Sequence, residues 1–255
     1  MALSKQDGVT DGSVPEREAG SVPEREAGSV PYLDLPSRDT PPRAAVLVLH
    51  GGRANSLDPV RPDQLTVRRM QPFVRTLTAL GDDIAVGQIR YRHRGWNNSV
   101  GDPVADVEFA LAAIAAQYGP VPVVLVGHSM GGRAALRAAG RPSVRGVVAL
   151  APWLPATEPV EQLAGRDLAV VHGTRDKTTS PRASARFVER AAPIARRVAC
   201  LQVPWSGHGM LLRASLWHHL TADFVDAMVR DEPFADAIDH ARAAHCRDCT
   251  PERGR

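Results

Sequence analysis

The sequence predicts an α/β fold in which a mostly parallel central sheet of about six or seven strands carries helices on both faces. Short runs such as AAVLVLH (Ala44–His50) and VPVVLV (Val121–Val126) are apolar almost throughout, as expected of strands that are buried on both faces. Helix-like segments separate these runs, and alternating strands and helices are typical of a parallel sheet. Ligands of such sheets bind at the carboxyl ends of the strands, so the residues after each strand are the first candidates for function.

Each element is predicted from its own pattern of residues. The segment Asp102–Gly119 is typical of a helix, with Asp102 as the N-cap, Pro103 at the first helical position and Gly119 at the end. Strands are expected at Ala44–His50, Asp83–Arg92, Val121–Val126, Arg145–Leu150, Asp167–Val171 and Arg197–Val203. Further helices are expected to end near Thr76–Gly81, to cover Arg133–Ala139, to start at Ser180–Pro181 and to cover Leu211–Val229.

The composition fits one globular domain with poorly structured ends. Of the 255 residues, 44% are hydrophobic, which is ample for a large core. Residues 1–31 contain the tandem repeat GSVPEREA, whose Gly, Ser, Pro and charged residues cannot bury a face, so we expect a disordered tail. The α/β domain is expected over residues 32–230, and a polar extension, residues 231–255, as a helix followed by disorder.

Hydropathy and charge argue against binding to membranes or nucleic acids. No apolar run approaches the ~20 residues that cross a bilayer, and no hydrophobic segment follows the first residues, so we expect a cytoplasmic protein. The formal net charge is +3, and the arginines are scattered among acidic residues rather than clustered with aromatic ones.

The three cysteines do not define a disulfide framework. Cys200 falls in a strand that is expected to be buried, where a thiol acts as a small hydrophobic group. Cys246 and Cys249 form a single C-x-x-C with only His240 or His245 nearby, short of the four ligands of a structural zinc site. We therefore interpret this tail as having no metal-binding role.

Three chemically active side chains follow three different predicted strands. Ser129 lies in GHSMG, between a strand and a helix, whereas Asp176 follows in HGTRD and His208 in SGHGM. In the spacing G-x-S-x-G the serine adopts a strained backbone that raises its hydroxyl above the sheet, and Gly127 and Gly131 remove side chains that would collide there. A histidine that accepts the serine proton, oriented by a carboxylate, makes the hydroxyl a nucleophile.

On the motifs GHSMGG, HGTRD and SGHGM, the chain resembles the α/β-hydrolase fold superfamily over roughly Ala44–Val229. Within that superfamily it is most similar to the lidless enzymes akin to dienelactone hydrolase and to small bacterial serine esterases. The resemblance implies a nucleophile elbow and a catalytic triad of Ser129, Asp176 and His208.

Acyl transfer also requires an oxyanion hole, in which backbone amides stabilise the charge that develops on the substrate oxygen. Met130, directly after the serine, is expected to supply one amide, and Gly52, in the loop after the first predicted strand, the other. Arg53 is a weaker candidate for the second amide.

Other residues compete for the roles of acid and base. Asp167 is the first residue of a predicted strand, so it lies at the opposite end of that strand from the carboxyl edge of the sheet. Glu158 comes several residues after the end of the preceding strand, too far along the chain to lie at the strand end. A structural role in the TRDKTTS turn is the alternative for Asp176 itself. The remaining candidate histidines are interpreted as structural or solvent-facing: His50, His128, His218 and His219.

The connection between Leu150 and Asp167 is too short for a lid and predicts an open, shallow site. The candidates to line it are Trp153, Trp205, Tyr91 and Arg53. Packing at the rim of the core is the alternative for the two tryptophans. The alternating arginines Arg90, Arg92 and Arg94 either attract an anionic substrate or pair with local acids such as Asp102 and Asp106.

The sequence therefore predicts a serine hydrolase that cleaves a small, soluble carboxylic ester, or a thioester or lactone, through an acyl-enzyme intermediate. We expect no metal or organic cofactor and no partner besides the small-molecule substrate, and the oligomeric state is left open. Two alternatives remain: a non-catalytic α/β-hydrolase scaffold that binds a small ligand or partner, and an acyltransferase that uses the same triad.

Overall fold

The computed structural model describes residues 30–97, 99 and 101–248, and only the backbone of residues 244–248. The predictions for residues 1–29, for the side chain of Cys246, for Cys249 and for the end of the chain lie outside this part. The strands are β1 (Tyr32–Asp34), β2 (Ala44–Leu49), β3 (Ile84–Arg90), β4 (Val123–His128), β5 (Val144–Leu150), β6 (Asp167–Gly173) and β7 (Arg197–Val203). They form one sheet in the order β1-β3-β2-β4-β5-β6-β7.

The sheet is parallel except at one edge. All neighbouring strands from β3 to β7 pair in parallel, and only β1 pairs antiparallel, with β3. The predicted fold class, a mostly parallel sheet of six or seven strands, is confirmed. Strand β1 was not predicted, because its three residues are too few to show an alternating pattern.

Helices cover both faces of the sheet. They are α1 (Leu65–Arg68), α2 (Gln71–Thr78), α3 (Asp102–Tyr118), α4 (Met130–Ala138), α5 (Pro181–Ala191), α6 (Ala214–Arg230) and α7 (Ala235–Asp248). Alternate residues of each strand enter different cores: in β2, Leu47 packs in the core under α3, α4 and α5, and Val48 in the core under α2 and α6. The central strands β2, β4 and β6 are therefore buried on both faces, as their continuous apolar runs predict.

Most predicted boundaries agree within a few residues, but the start of α3 differs. Helix α5 begins at Pro181, and the Ser180 hydroxyl caps it by accepting from the Ala183 amide at 3.2 Å. The N-cap of α3 is Gly101, with φ +87°, rather than Asp102. The Asp102 carboxylate instead accepts a hydrogen bond from the Asn97 side chain at 2.8 Å, so a tertiary contact replaces the predicted local one.

Strand β7 lies at the edge of the sheet, and this position overturns the prediction for Cys200. Ala199 and Val203 are buried on the face that packs against α6, whereas Cys200 points to the opposite face and is exposed. The prediction of a buried thiol is wrong because an edge strand has less cover than the central strands whose apolar pattern it shares.

The connection from β5 to β6 carries no inserted domain. Residues 151–166 contain a single 3₁₀ turn, Glu161–Leu163, which confirms the prediction that no lid lies over the carboxyl edge of the sheet. None of the helices in the described residues combines the length and the apolar character that a bilayer-spanning segment requires.

Candidate active site

Ser129 forms the corner between β4 and α4 with a backbone that L-residues rarely adopt, φ 56° and ψ −116°. A Cβ on Gly127 would collide with the Gly131 carbonyl, and a Cβ on Gly131 would lie 2.5 Å from the carbonyl oxygen of His50. Close backbone packing on both sides therefore holds the strained corner, as the G-x-S-x-G spacing predicts. The serine hydroxyl is left at the carboxyl edge of the sheet.

His208 lies in the loop between β7 and α6, and its ring bridges two side chains. Its Nε2 lies 3.0 Å from Ser129 Oγ, and its Nδ1 lies 2.8 Å from Asp176 Oδ2. Because an ionised carboxylate only accepts hydrogen bonds, Nδ1 carries the proton and the Nε2 lone pair faces the serine hydroxyl. The structure thus brings together the serine, the acid and the histidine that were predicted from three strand ends.

Asp176 begins a tight turn that follows β6. Its Oδ1 accepts hydrogen bonds from the amides of Thr178 at 2.7 Å and Thr179 at 2.9 Å. Burial opposes ionisation of this carboxyl, but hydrogen bonds from His172, His208 and the two amides outweigh it and hold the pKa of Asp176 well below its usual range. Asp176 is therefore a carboxylate at neutral pH, as the orientation of a catalytic histidine requires.

Two further residues of the site had no role assigned from the sequence. His172, in β6, places Nε2 3.2 Å from Asp176 Oδ2 and is only 1% exposed. Thr179 places Oγ1 2.9 Å from the same oxygen and 3.2 Å from His208 Nδ1. Both lie in the stretch HGTRDKTT, but the sequence alone does not show that β6 and the following turn direct them at one carboxylate.

His128 and His50 support the site as neutral rings. His128 Nε2 donates to the His208 carbonyl at 3.0 Å, which ties the end of β4 to the loop that carries His208. His50 Nδ1 donates to the Gly51 carbonyl at 2.7 Å, and its Nε2 faces the Tyr91 amide at 3.4 Å. Burial lowers the pKa of His128 to about 3 and that of His50 to about 4.

The two residues predicted to supply the oxyanion amides, Met130 and Gly52, pack against each other next to Ser129. Met130 is the first residue of α4, where amides have no partner within the helix. Gly52 packs against it so closely that a Cβ on Gly52 would lie 2.5 Å from Met130 Sδ. The Arg53 amide donates to the Arg94 carbonyl at 2.8 Å, so the structure removes Arg53 from the candidates for the second oxyanion amide.

The competing acids have structural partners away from Ser129. Asp167, at the start of β6, pairs with Arg197 at 2.7 Å and also with Arg196. The Glu158 side chain is fully buried and pairs with Arg133 at 2.6 Å and with Arg137. The competing histidines lie on α6, where His218 packs against the Phe73 ring and His219 is exposed.

The residues proposed to line the pocket lie in different environments. The Trp153 amide donates to the Ser129 carbonyl at 3.1 Å, and its half-buried ring stacks on the Arg133 guanidinium. Trp205 is 52% exposed and stacks on Arg175, directly before Asp176. Tyr91 is 2% exposed and packs against the His50 ring, so the structure places it in the core rather than at the surface of a pocket.

The alternating arginines at the end of β3 and in the residues after it each contact a neighbouring side chain. Arg92 forms an ion pair with Asp106, and Arg94 lies 3.6 Å from Asp58. The Arg90 guanidinium stacks over the Tyr32 ring at 4.6 Å. Of the two interpretations, pairing with local groups fits the structure better than attraction of an anionic substrate. Within the described part of the chain, no three His, Cys, Asp or Glu side chains cluster in a way that would hold a metal ion.

A parallel sheet with a serine corner at its carboxyl edge and no lid defines the class: the chain is an α/β-hydrolase-fold protein. A family model described as serine aminopeptidase, S33, matches residues 85–169. That match includes Ser129 and ends before Asp176 and His208. No curated protein matches the chain by sequence.

Solved structures support the same class at low sequence identity. Est1E from Butyrivibrio proteoclasticus has a TM-score of 0.58 at 14% identity, covering 78% of this chain and 94% of its own. A monoacylglycerol lipase from Paleococcus ferrophilus has a TM-score of 0.59 at 15% identity, over 78% and 98%. XC6422 from Xanthomonas campestris, an α/β serine hydrolase without a lid, has a TM-score of 0.56 at 20% identity, over 78% and 91%. At these identities the likeness concerns the fold.

Proposed function

We propose that the protein is a serine hydrolase that cleaves small, soluble carboxylic esters through an acyl-enzyme intermediate. One observation carries the proposal: the His208 ring lies within hydrogen-bond distance of Ser129 Oγ on one side, at 3.0 Å, and of Asp176 Oδ2 on the other, at 2.8 Å. A base next to a hydroxyl, with a third group that orients the base, is the arrangement that activates a serine nucleophile.

The reaction follows from these positions. Ser129 Oγ attacks the ester carbonyl carbon while His208 Nε2 takes its proton, and the charge on the resulting imidazolium is stabilised by Asp176. The substrate oxygen becomes an oxyanion between the amides of Met130 and Gly52. The tetrahedral intermediate then collapses with cleavage of the bond between the carbonyl carbon and the alcohol oxygen, and His208 gives its proton to that oxygen. The alcohol leaves, and the acyl group remains as an ester on Ser129 Oγ. Water, deprotonated by the same ring, hydrolyses this ester and releases the acid.

The short connection from β5 to β6 supports a small and soluble substrate. The connection from β5 to β6 has no segment that closes over Ser129, so a long acyl chain has no enclosed tunnel in that direction. The Trp153 amide donates to the Ser129 carbonyl, and its half-buried ring is the candidate for an aromatic wall of the substrate site. One of the structural neighbours is a monoacylglycerol lipase, which supports ester rather than peptide chemistry.

The family model is named for an aminopeptidase, so an amide is the natural comparison substrate. Recognition of a free amino terminus needs a carboxylate that is not already paired. Glu158 is fully buried against two arginines, Asp106 pairs with Arg92, and Asp176 is committed to His208. None of these three carboxylates is available to an amine, which favours the ester.

The test compares p-nitrophenyl acetate, p-nitrophenyl octanoate and alanine p-nitroanilide as substrates. We expect the acetate to turn over faster than the octanoate and the anilide, and Ser129→Ala to lower the rate by roughly 10⁴-fold or more. Ser215→Ala, at an exposed serine on α6, is the matched control and should retain the wild-type rate. Equal rates for the wild type and Ser129→Ala would refute the assignment of the nucleophile.

Two further measurements separate this function from its alternatives. A fluorophosphonate should label Ser129, detected as a mass increase on its peptide, and the absence of any label would favour a non-catalytic scaffold. Product analysis in the presence of added alcohol distinguishes hydrolysis from acyl transfer, because a transferase would release a new ester in place of the acid.

A further inference from the structure

Two histidines contact the same carboxylate oxygen in this site. His208 Nδ1 lies 2.8 Å and His172 Nε2 lies 3.2 Å from Oδ2 of Asp176. Of the two rings, only that of His208 contacts Ser129. His172 is 1% exposed, so it is a buried titratable group that the proposed mechanism leaves without a role.

The proton on the His172 ring is placed by Ser184, a residue of α5 with no exposed surface. Ser184 Oγ lies 2.8 Å from His172 Nδ1, and it has no other hydrogen bond among the described residues. If Ser184 donates, Nδ1 is an acceptor and the proton of the neutral ring is on Nε2, directed at Asp176. If both ring nitrogens carried protons, the serine proton would be buried without an acceptor, which is costly.

Thr179 links the two rings through its hydroxyl. Its Oγ1 lies 3.3 Å from His172 Nε2 and 3.2 Å from His208 Nδ1. The single hydroxyl proton is directed at one of two acceptors, the Ala151 carbonyl at 3.1 Å or Asp176 at 2.9 Å. The lone pairs of Oγ1 therefore face the N–H groups of both histidines, so His172 and His208 share two acceptors, one charged and one neutral.

We propose that His172 is a positioning residue that, with its tautomer held by Ser184, controls how strongly Asp176 stabilises the protonated form of His208. This inference rests on the proposed hydrolase function. Each donor to a carboxylate draws negative charge away from its other partners. Loss of the His172 donor concentrates charge on the oxygen that faces His208, so the base keeps its proton to a higher pH and is inactive over a wider acid range.

The test measures kcat and kcat/KM for p-nitrophenyl acetate between pH 5 and pH 9. His172→Phe removes the donor and should move the acid limb of the profile upward by on the order of 0.5 to 1 pH unit. The value of kcat should therefore fall about 3- to 10-fold at pH values below the limb, whereas KM and the plateau of kcat above the limb should not fall. His172→Gln keeps an N–H group near the position of Nε2 and should return the limb toward that of the wild type. Ser184→Ala removes the hydroxyl that fixes the tautomer of His172, so it should move the acid limb in the same direction by a smaller amount.

Ser180→Ala is the matched control on the same helix. It removes the cap of α5 and should lower the thermal unfolding midpoint, but it does not touch His172, so the acid limb should stay in place. This control separates a specific effect on the base from a general loosening of α5.

A readout that needs no turnover separates this inference from the proposed function. The His208 Cε1–H resonance is titrated by NMR in the Ser129→Ala background, with and without His172→Phe. A higher midpoint with His172→Phe supports the role of His172, even if no ester is hydrolysed and the proposed function alone fails. A folded His172→Phe variant in which neither the acid limb nor the NMR midpoint moves overturns the inference. If His172→Phe does not fold, Ser184→Ala decides by the same criterion.

Discussion

Two buried histidines beside the nucleophile make the stability of the fold depend on pH. Burial lowers the pKa of His128 to about 3 and that of His50 to about 4, from 6.5. His128 uses Nε2 as the donor to the His208 carbonyl, and its buried Nδ1 has no partner. A second proton on this ring would therefore be buried without an acceptor, so the folded state keeps the ring neutral.

The size of the effect follows from the difference between folded and unfolded chains. Below pH 6.5 the unfolded chain takes up protons on both rings, and the folded chain does not until about pH 4 for His50 and pH 3 for His128. Stability is therefore complete above about pH 7 and falls as pH decreases through 6.5. At pH 5 the loss is about 2 kcal/mol for each histidine, at about 1.36 kcal/mol per pH unit, or about 4 kcal/mol together. Asp176, with its lowered pKa, is ionised in both states over this range and does not contribute to the change.

The assay is urea unfolding at pH 8 and pH 5, followed by tryptophan fluorescence. His128→Gln and His50→Gln should each reduce the difference between the two pH values by about 2 kcal/mol, whatever their effect at pH 8. His219→Gln is the matched control, because His219 is exposed on α6 and its replacement should leave the difference unchanged. Equal free energies of unfolding at pH 5 and pH 8 in the wild type would refute the reasoning.

Three further changes test the packing of the site. Glu158→Ala should lower the free energy of unfolding by about 3–5 kcal/mol, because it leaves the Arg133 guanidinium buried without its partner. Asp63→Ala is the control: it removes the exposed ion pair with Arg61 and should lower the free energy of unfolding by less than about 1 kcal/mol in the same urea titration. Gly131→Ala should prevent folding or shift the thermal midpoint strongly, because its Cβ would lie 2.5 Å from one backbone oxygen and 2.6 Å from another. Gly119→Ala meets nothing within 4 Å and should cost about 1–3 kcal/mol, from the strain of its backbone conformation alone, φ 79° and ψ −161°. Gly52→Ala should lower kcat for p-nitrophenyl acetate by about 10²-fold with little change in KM, because its Cβ would displace the loop that we propose carries the second oxyanion amide. An unchanged kcat would remove Gly52 from the oxyanion hole.

The residues at the strand ends were predictable because the strands themselves are. A run such as Ala44–Leu49 is buried at every position, as its continuous apolar pattern predicts for a strand with helices on both faces of the sheet. Once the strands are known, a parallel sheet brings their carboxyl ends to one edge. That rule brings Ser129, Asp176 and His208 to one edge, and the resemblance of their motifs to the α/β-hydrolase superfamily selected these three. The His208 side chain is found within hydrogen-bond distance of both Ser129 and Asp176.

The features that the sequence did not predict depend on contacts between elements. The apolar residues of β7 resemble those of a central strand, and only the position of β7 at the edge exposes Cys200. The Arg53 amide was a candidate until the loop after β3 placed the Arg94 carbonyl 2.8 Å away. His172 and Thr179 have no sequence pattern in common, and they meet at Asp176 only through the turn that follows β6.

The carboxylate of Asp176 must satisfy two requirements that conflict. A buried charge needs hydrogen-bond donors, since burial without them costs several kcal/mol, but each donor also weakens the support that the charge gives to His208. In the structure the two requirements are met at different oxygen atoms of the carboxylate. The amides of Thr178 and Thr179 donate to Oδ1, whereas His208 donates to Oδ2. The two backbone amides thus compensate the charge at the oxygen that does not face His208. A hydroxyl and the longer contact from His172, at 3.2 Å, share Oδ2 with His208, so a substitution of His172 removes a donor from the oxygen that faces His208 and leaves the two amides on Oδ1 in place.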